Sequence, residues 1–374
     1  MKKITSAILI VLLLMSFSAC KKEDRPAVGT TPIVDVSEDS EIRIGFILNG
    51  DSDSDSAYIQ SHIQGIEAMR QALGLSEEQL VLKTDIPVDN TEQMADAVAD
   101  CVDKGCKIIF GTEQEYSGVM AHCADIYPDV IFSNALSSRN NGKNLNGYSI
   151  SIYQAQYLSG IVAALKTETN LIGYVAYTGE PDSLVGVDAF AMGVEKTNPE
   201  AVIYLRSVES RCDYKLEKQA ADALLDLGCD VIGQNTYTSA PQQAAQDRAV
   251  WGCGFMADMT GDAPAGHLQA AVANWGLYYT KAAKDTIEGS WKSNNFIGEL
   301  TNGGVTLSPV NRNCIRGTTA TVNESRKEIL AGSEIFVGEI VDNDGNIVCE
   351  EGTMLTESEI EDGFDWYYRN IIVY

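Results

Sequence analysis

The stretch Asn49 to Gln60, NGDSDSDSAYIQ, sets Asp51, Asp53 and Asp55 at every second position and follows them with Tyr58. Carboxylates so spaced could hold calcium, cap a helix or accept hydrogen bonds from an organic ligand. Counted as a calcium loop from Asp51, the spacing puts Ser56 where the sharp turn needs glycine and His62 where a bidentate glutamate closes the shell. Both requirements fail. The same count from Asp342 puts Ile347 at the glycine position, so Asp342-Asn343-Asp344-Gly345 is only a hairpin turn. What remains is a loop at the end of the apolar run Ile44 to Leu48, ahead of a helix. Backbone N–H groups point outward there, and open parallel sheets bind ligands beyond such strand ends. A carboxylate in that place caps the helix or meets a ligand's hydroxyl or N–H group, and a ring beside it offers a stacking face. Asp51 and Asp53 read as solvated loop charges.

Enzyme signatures are missing. The sequence holds no G-x-S-x-G elbow, no phosphate-cradling G-x-x-x-x-G-K-[ST], no G-x-G-x-x-G and no H-E-x-x-H. Of the three histidines, His62 and His122 fall on helices and read as surface positions; His267 is the third. No paired groups for hydrolysis or redox chemistry assemble from this inventory. The expectation is a binding protein rather than an enzyme, with no cofactor and no metal.

The elements that must position these residues alternate along the chain. Strands are expected at 42–48, 79–86, 107–111 and 130–135, with helices at 61–73, 91–104 and 116–124 between them. The cycle restarts after Tyr148, with helices at 154–166, 183–196, 213–227 and 240–248 and strands at 171–177, 201–208, 229–234 and 250–255. A helix over 274–288, strands in WKSNNFIGEL and GGVTLSP, and a last helix opened by Thr356 in a capping box complete the reading. Such alternation implies an α/β protein with two doubly wound, Rossmann-like lobes, each a parallel sheet covered by helices on both faces.

A formal charge of −26 argues against a nucleic-acid or anionic-membrane surface. Residues 1–20 begin with Lys2 and Lys3, continue as an apolar run too short to span a bilayer, and end in Phe17-Ser18-Ala19-Cys20. That is the pattern of a secretory signal, and small residues before Cys20 resemble a bacterial lipobox in which that cysteine carries the lipid. Residues 21–40 are polar, hold Pro and Gly, and read as a flexible tether. Eight cysteines follow Cys20. Export permits disulfides; Cys101 with Cys123, and Cys314 with Cys349, could meet, and the sequence decides neither pairing.

Several segments resemble one family. YLSGIVAALKTETNLIGYVAY (157–177), GVDAFAMGVEKTNPEAVIYL (186–205), AADALLDLGCDVIGQNTYTSAPQQAA (220–245), GFMADM (254–259), ANWGLYY (273–279) and DGFDWYY (362–368) are similar in content and order to the basic membrane protein group of ABC-transporter substrate-binding lipoproteins, which includes purine nucleoside receptors. The resemblance implies a type I periplasmic-binding-protein clamshell with hinge crossings near 148–152, 274–280 and 303–308. The N-terminal lobe would be 41–150 with 277–305, and the C-terminal lobe 151–276 with 306–374. It further implies ligand contacts from Asp55 and Tyr58, from Tyr116 as an opposing ring, and from Asp182, Asn235 and Asp258. Ala273 stands where several relatives have Trp, which would enlarge the pocket or remove a stacking partner.

On this reading the protein is lipid-anchored outside the bacterial cell membrane and monomeric. It would capture purine nucleosides or bases between its lobes and pass them to an ABC permease. The alternative is a sensory or surface lipoprotein that binds a ligand without transport.

Overall fold

The computed structural model describes residues 42–374, apart from Pro181 and the side chains of Asp182 and Glu361. The expected signal at 1–20 with Cys20, and the tether at 21–40, lie outside the described residues.

Strands and helices alternate as β1 (Arg43–Ile47), α1 (Ala57–Leu73), β2 (Leu80–Lys83), α2 (Thr91–Asp103), β3 (Cys106–Gly111), α3 (Ser117–Ile126), β4 (Ile131–Ala135) and β5 (Leu145–Ile150). A second series follows: α4 (Tyr153–Lys166), β6 (Leu171–Tyr177), α5 (Asp182–Thr197), β7 (Val202–Val208), α6 (Tyr214–Asp226), β8 (Val231–Gln234), α7 (Ala240–Asp247), β9 (Trp251–Met256) and β10 (His267–Ala273). After these come α8 (Trp275–Ile287), β11 (Phe296–Gly298), β12 (Val305–Leu307), α9 (Thr318–Leu330), the hairpin β13 (Ile340–Val341) and β14 (Ile347–Cys349), α10 (Glu357–Glu361) and β15 (Ile371–Val373).

The strands are nearly continuous apolar runs because helices cover both faces of each sheet. Ile44, Phe46 and Ile47 in β1, and Ile172, Tyr174, Val175 and Ala176 in β6, are all buried. Helix starts are capped where the sequence offers a short polar side chain. Ser56 caps α1, Asn90 caps α2 and Asp213 caps α6, each accepting from a backbone N–H in the first turn.

The first sheet runs β11-β5-β4-β3-β1-β2 and the second β12-β10-β9-β8-β6-β7-β15. In each series the spatial order is second, first, third, fourth, fifth. Only β12 pairs antiparallel within these sheets, against β10. The order therefore reverses at equivalent places, between β1 and β3 and between β6 and β8. These are the switch points beside which doubly wound sheets hold ligands. The chain passes from one sheet to the other between β5 and α4, between β10 and α8, and between β11 and β12. Helix α8 then packs on α1 so closely that a Cβ on Gly65 would stand 2.8 Å from the backbone nitrogen of Gly276. Only glycine fits there, and the contact seats Trp275 against the helix that carries Tyr58.

Candidate functional site in the inter-lobe cleft

The two switch points face one another across a cavity of about 250 Å³. The first sheet contributes Tyr58 from α1, Glu113, Gln114 and Glu115 from the loop after β3, and Leu136 from the end of β4. The second contributes Tyr177 and Glu180 after β6, Glu209, Ser210 and Arg211 after β7, and Tyr237 after β8. The size lies just below the roughly 300–1,000 Å³ common for small-molecule pockets. Leu136 at the end of β4 and Met256 at the corresponding end of β9 both hold positive φ, at 50° and 66°. Left-handed backbone at a non-glycine residue is strained and concentrates at functional sites.

Tyr58 is fixed from below. Its hydroxyl donates to the Thr112 carbonyl at 2.5 Å. The Tyr58 carbonyl accepts from Ser61 Oγ at 2.6 Å, which in turn accepts from the Trp275 indole at 2.9 Å. The His62 ring stacks on Trp275 at 4.5 Å and meets Tyr58 edge-on at 4.6 Å. His62 Nδ1 pairs with the Tyr279 hydroxyl at 2.6 Å, and burial pushes its pKa down to about 3. His62 is thus a neutral core residue, not the surface position that the sequence suggested; its helix turns it under Tyr58.

Tyr237 is fixed from the other lobe. Gln234 Nε2 donates to the carbonyls of Thr236 and Thr238, on either side of it, at 2.9 and 2.8 Å. Gln242 braces the Gln234 oxygen at 2.9 Å, and buried Glu217 accepts from the backbone and hydroxyl of Thr238. Tyr237 N–H donates to the Arg211 carbonyl at 2.6 Å. So held, Tyr237 stacks on Tyr58 at 5.1 Å and 16°, and Phe255 extends the ladder on its other side at 6.2 Å and 10°. A backbone bond from Ala57 N–H to the Tyr237 carbonyl, 2.7 Å, also crosses between the lobes. This is a closed conformation whose facing surfaces are flat rings.

The cavity's charge is lopsided. Glu113, Glu115, Glu180 and Glu209 line it against the single guanidinium of Arg211. Arg211 is drawn to one wall, with Nη2 2.5 Å from Glu180 and 3.0 Å from Ser183 Oγ, Nη1 donating to the Tyr237 hydroxyl at 2.9 Å, and its plane over Tyr177 at 4.7 Å. Glu113 is different. Burial first, then the neighbouring Glu115, push its pKa up to about 8 against the pull of Arg211. An acidic lining repels anions such as nucleotides and suits a neutral ring compound with donor groups on its rim.

A family model for ABC transporter substrate-binding protein, PnrA-like, matches residues 42–339. The chain belongs to that family. Among curated proteins it is 29% identical over 334 residues to the purine-binding protein of Brucella abortus (strain 2308), covering 89% of this chain and 93% of that one. It is 33% identical over 239 residues to a putative ABC transporter glucose-binding protein of Haloferax volcanii, covering 62% of this chain and 61% of the relative. An ABC transporter solute-binding protein of Conexibacter woesei superposes with a TM-score of 0.68 at 20% identity, over 78% of this chain and 97% of that one. The fold is therefore the periplasmic-binding-protein clamshell. As a PnrA-like substrate-binding protein, the chain works outside the cytoplasm with an ABC system. Among the described residues no helix is long and apolar enough to cross a membrane.

The residues that the family resemblance singled out divide into four groups. Tyr58 lines the cavity. Asp55 and Asp258 do not line it; burial first, then Asp258 and Asp55, push the pKa of the Asp262 carboxyl up. Asp55 is exposed, and Asp258 Oδ1 accepts from Thr260 N–H and Oγ1. Tyr116 and Asn235 do not line the cavity. Tyr116 is buried in the core, its hydroxyl pinned to the Ile86 carbonyl. Asn235 spends its amide on Tyr177 N–H, Tyr177 O and Ser183 O, which clamps two cavity loops together. Asp182 opens α5. No group of three metal-ligating side chains occurs among the described residues, and all eight described cysteines are free thiols. Cys101, Cys106 and Cys123 lie in one buried cluster.

Sequence reading missed Glu113, Tyr177, Glu180, Arg211 and Tyr237. Glu113 stands two residues beyond the end of β3 at a switch point, a position the strand pattern alone could have flagged. Arg211 carried no such signal, since its loop follows a strand away from the switch.

Proposed function

We propose that this PnrA-like protein captures a purine base or purine nucleoside between its lobes and hands it to the permease of an ABC importer. The carrying observation is the pair of parallel tyrosine rings, Tyr58 and Tyr237, meeting from opposite lobes at both switch points. A heteroaromatic ring entering between them gains about 1–3 kcal/mol on each face. Each lobe supplies one face, so the ligand favours closure over the open state. The purine-binding relative from Brucella supports the same class. Cys20 would carry the lipid anchor, the receptor would act as a monomer, and it would bind without turnover.

A thermal-shift panel of adenine, hypoxanthine, adenosine, inosine, AMP and D-glucose tests the reading. A purine present at a hundred times its Kd should stabilise the fold by about 2.7 kcal/mol, with AMP inert. The Haloferax relative favours a sugar as second reading; a shift with glucose and none with purines would replace the first. Loss of purine uptake on deleting the gene separates an importer's receptor from a sensory lipoprotein, in which uptake would persist.

A further inference from the structure

The Glu113 carboxyl stands out among the cavity's polar groups. Its backbone carbonyl is used, accepting from Asn134 Nδ2 at 2.9 Å and from Tyr116 N–H. Its side-chain oxygens have no hydrogen-bond or ion-pair partner among the described residues, although the side chain is largely covered. A half-buried carboxyl without a protein partner is open to pairing with whatever enters the cavity. It faces a cavity that it shares with the rings of Tyr58, Tyr177 and Tyr237.

We propose that Glu113 reads the rim of the bound ring and does so as an acid, donating through its O–H and accepting through its C=O to one amide- or amidine-type edge. This deepens the purine reading above and rests on it. A protonated carboxyl sets one donor beside one acceptor. The complementary edge sets an acceptor beside a donor, as the ring nitrogen and amino group of adenine do. Two parallel hydrogen bonds then close a planar ring in the plane of the base, which is the plane that the tyrosines define.

The surroundings favour this state. Burial and Glu115 raise the Glu113 pKa to about 8, opposed by Arg211 across the cleft. Tyr58 on α1, Tyr116 on the same loop, Tyr148 on β5 and Tyr279 on α8 stand near it, and each of these phenols is pushed upward, by burial first and by Glu113 in addition. They stay neutral between pH 6 and 9. His62 beneath Tyr58, at about 3, stays neutral there too. Glu180 and Glu209 stand on the opposite wall.

The linkage has a definite sign. A group with a raised pKa that binds ligand in its protonated form gives full affinity below that pKa and loses it as pH rises through it. Calorimetric titration with adenine, whose own ionisations lie outside the window, should give a Kd at pH 9 about tenfold weaker than at pH 6, since one pH unit above the pKa removes the acid about tenfold. Glu113→Gln, which offers a donor and an acceptor at every pH, should make the two values equal. Glu113→Ala should weaken binding at pH 6 without restoring any pH dependence. A wild-type profile that is flat, or that strengthens toward pH 9, overturns the role of Glu113 while leaving the purine reading intact. Absence of adenine binding at every pH overturns both.

Discussion

Replacing Tyr237 by alanine separates two effects of one ring. In the unliganded closed form it stacks on Tyr58 at 5.1 Å, too close for a third ring to lie between them. A purine must part the pair, giving up about 0.5–1.5 kcal/mol of ring–ring stabilisation. It then gains about 1–3 kcal/mol on each tyrosine face. Without Tyr237 the ligand keeps the Tyr58 face and no longer has a ring pair to break. The net loss, taken at the central values, is about 1 kcal/mol, or about fivefold in Kd. Calorimetry with adenine on wild type and variant measures it, and Tyr237→Phe, which keeps the ring, should stay near wild type. Unchanged affinity in the alanine variant would remove Tyr237 from the site. Tighter binding would show that it plugs the slot rather than sharing it.

Other consequences concern the scaffold. Gln234→Ala leaves the Thr236 and Thr238 carbonyls without their donor and takes one of two acceptors from Gln242 Nε2, which should cost about 2–5 kcal/mol in chemical denaturation. His62, depressed to about 3 from an ordinary 6.5, is neutral when folded and charged when unfolded in acid. Its stabilising effect is complete above 6.5 and is lost as pH falls toward 3, so at pH 4.5 it should cost roughly 2–3 kcal/mol. His62→Phe should flatten that part of the acid-stability curve, whatever its effect at pH 7.5. Cys212, the exposed thiol among the described cysteines, lies within reach of Ser56 across the cleft, and burial raises its pKa. Iodoacetamide should label it first, faster at alkaline pH, and bound ligand should slow the labelling by holding the lobes together; peptide mapping reads the result.

The fold was legible because its signals are local and strong. Runs such as RIGFI and LIGYVAY, broken by capped amphipathic helices, define doubly wound lobes without any long-range information. β10 was not, because HLQAAVA has little β-branched character, and its place as a strand comes from pairing with β9 on one side and β12 on the other. α9 was missed for a related reason: its sequence is polar, and it buries only Thr318, Val322, Ser325 and Ile329. The site was half legible. Tyr58 followed from its place after β1, whereas Tyr116 lay in an equally suggestive place after β3 and turned into the core. One further turn of backbone, the 3₁₀ segment Gln114–Tyr116, swings that ring inward and leaves Glu113 at the cavity. Arg211 and Tyr237 lie 153 and 179 residues beyond Tyr58 in the chain, and only lobe closure brings them to it.

A crystal structure of the protein with adenine tests the central claim most directly. The account predicts the base lying flat between the Tyr58 and Tyr237 rings, its edge toward Glu113 with two hydrogen bonds in the ring plane. A base bound away from both tyrosines, or a cleft that closes ring on ring and excludes adenine at saturating concentration, would contradict it.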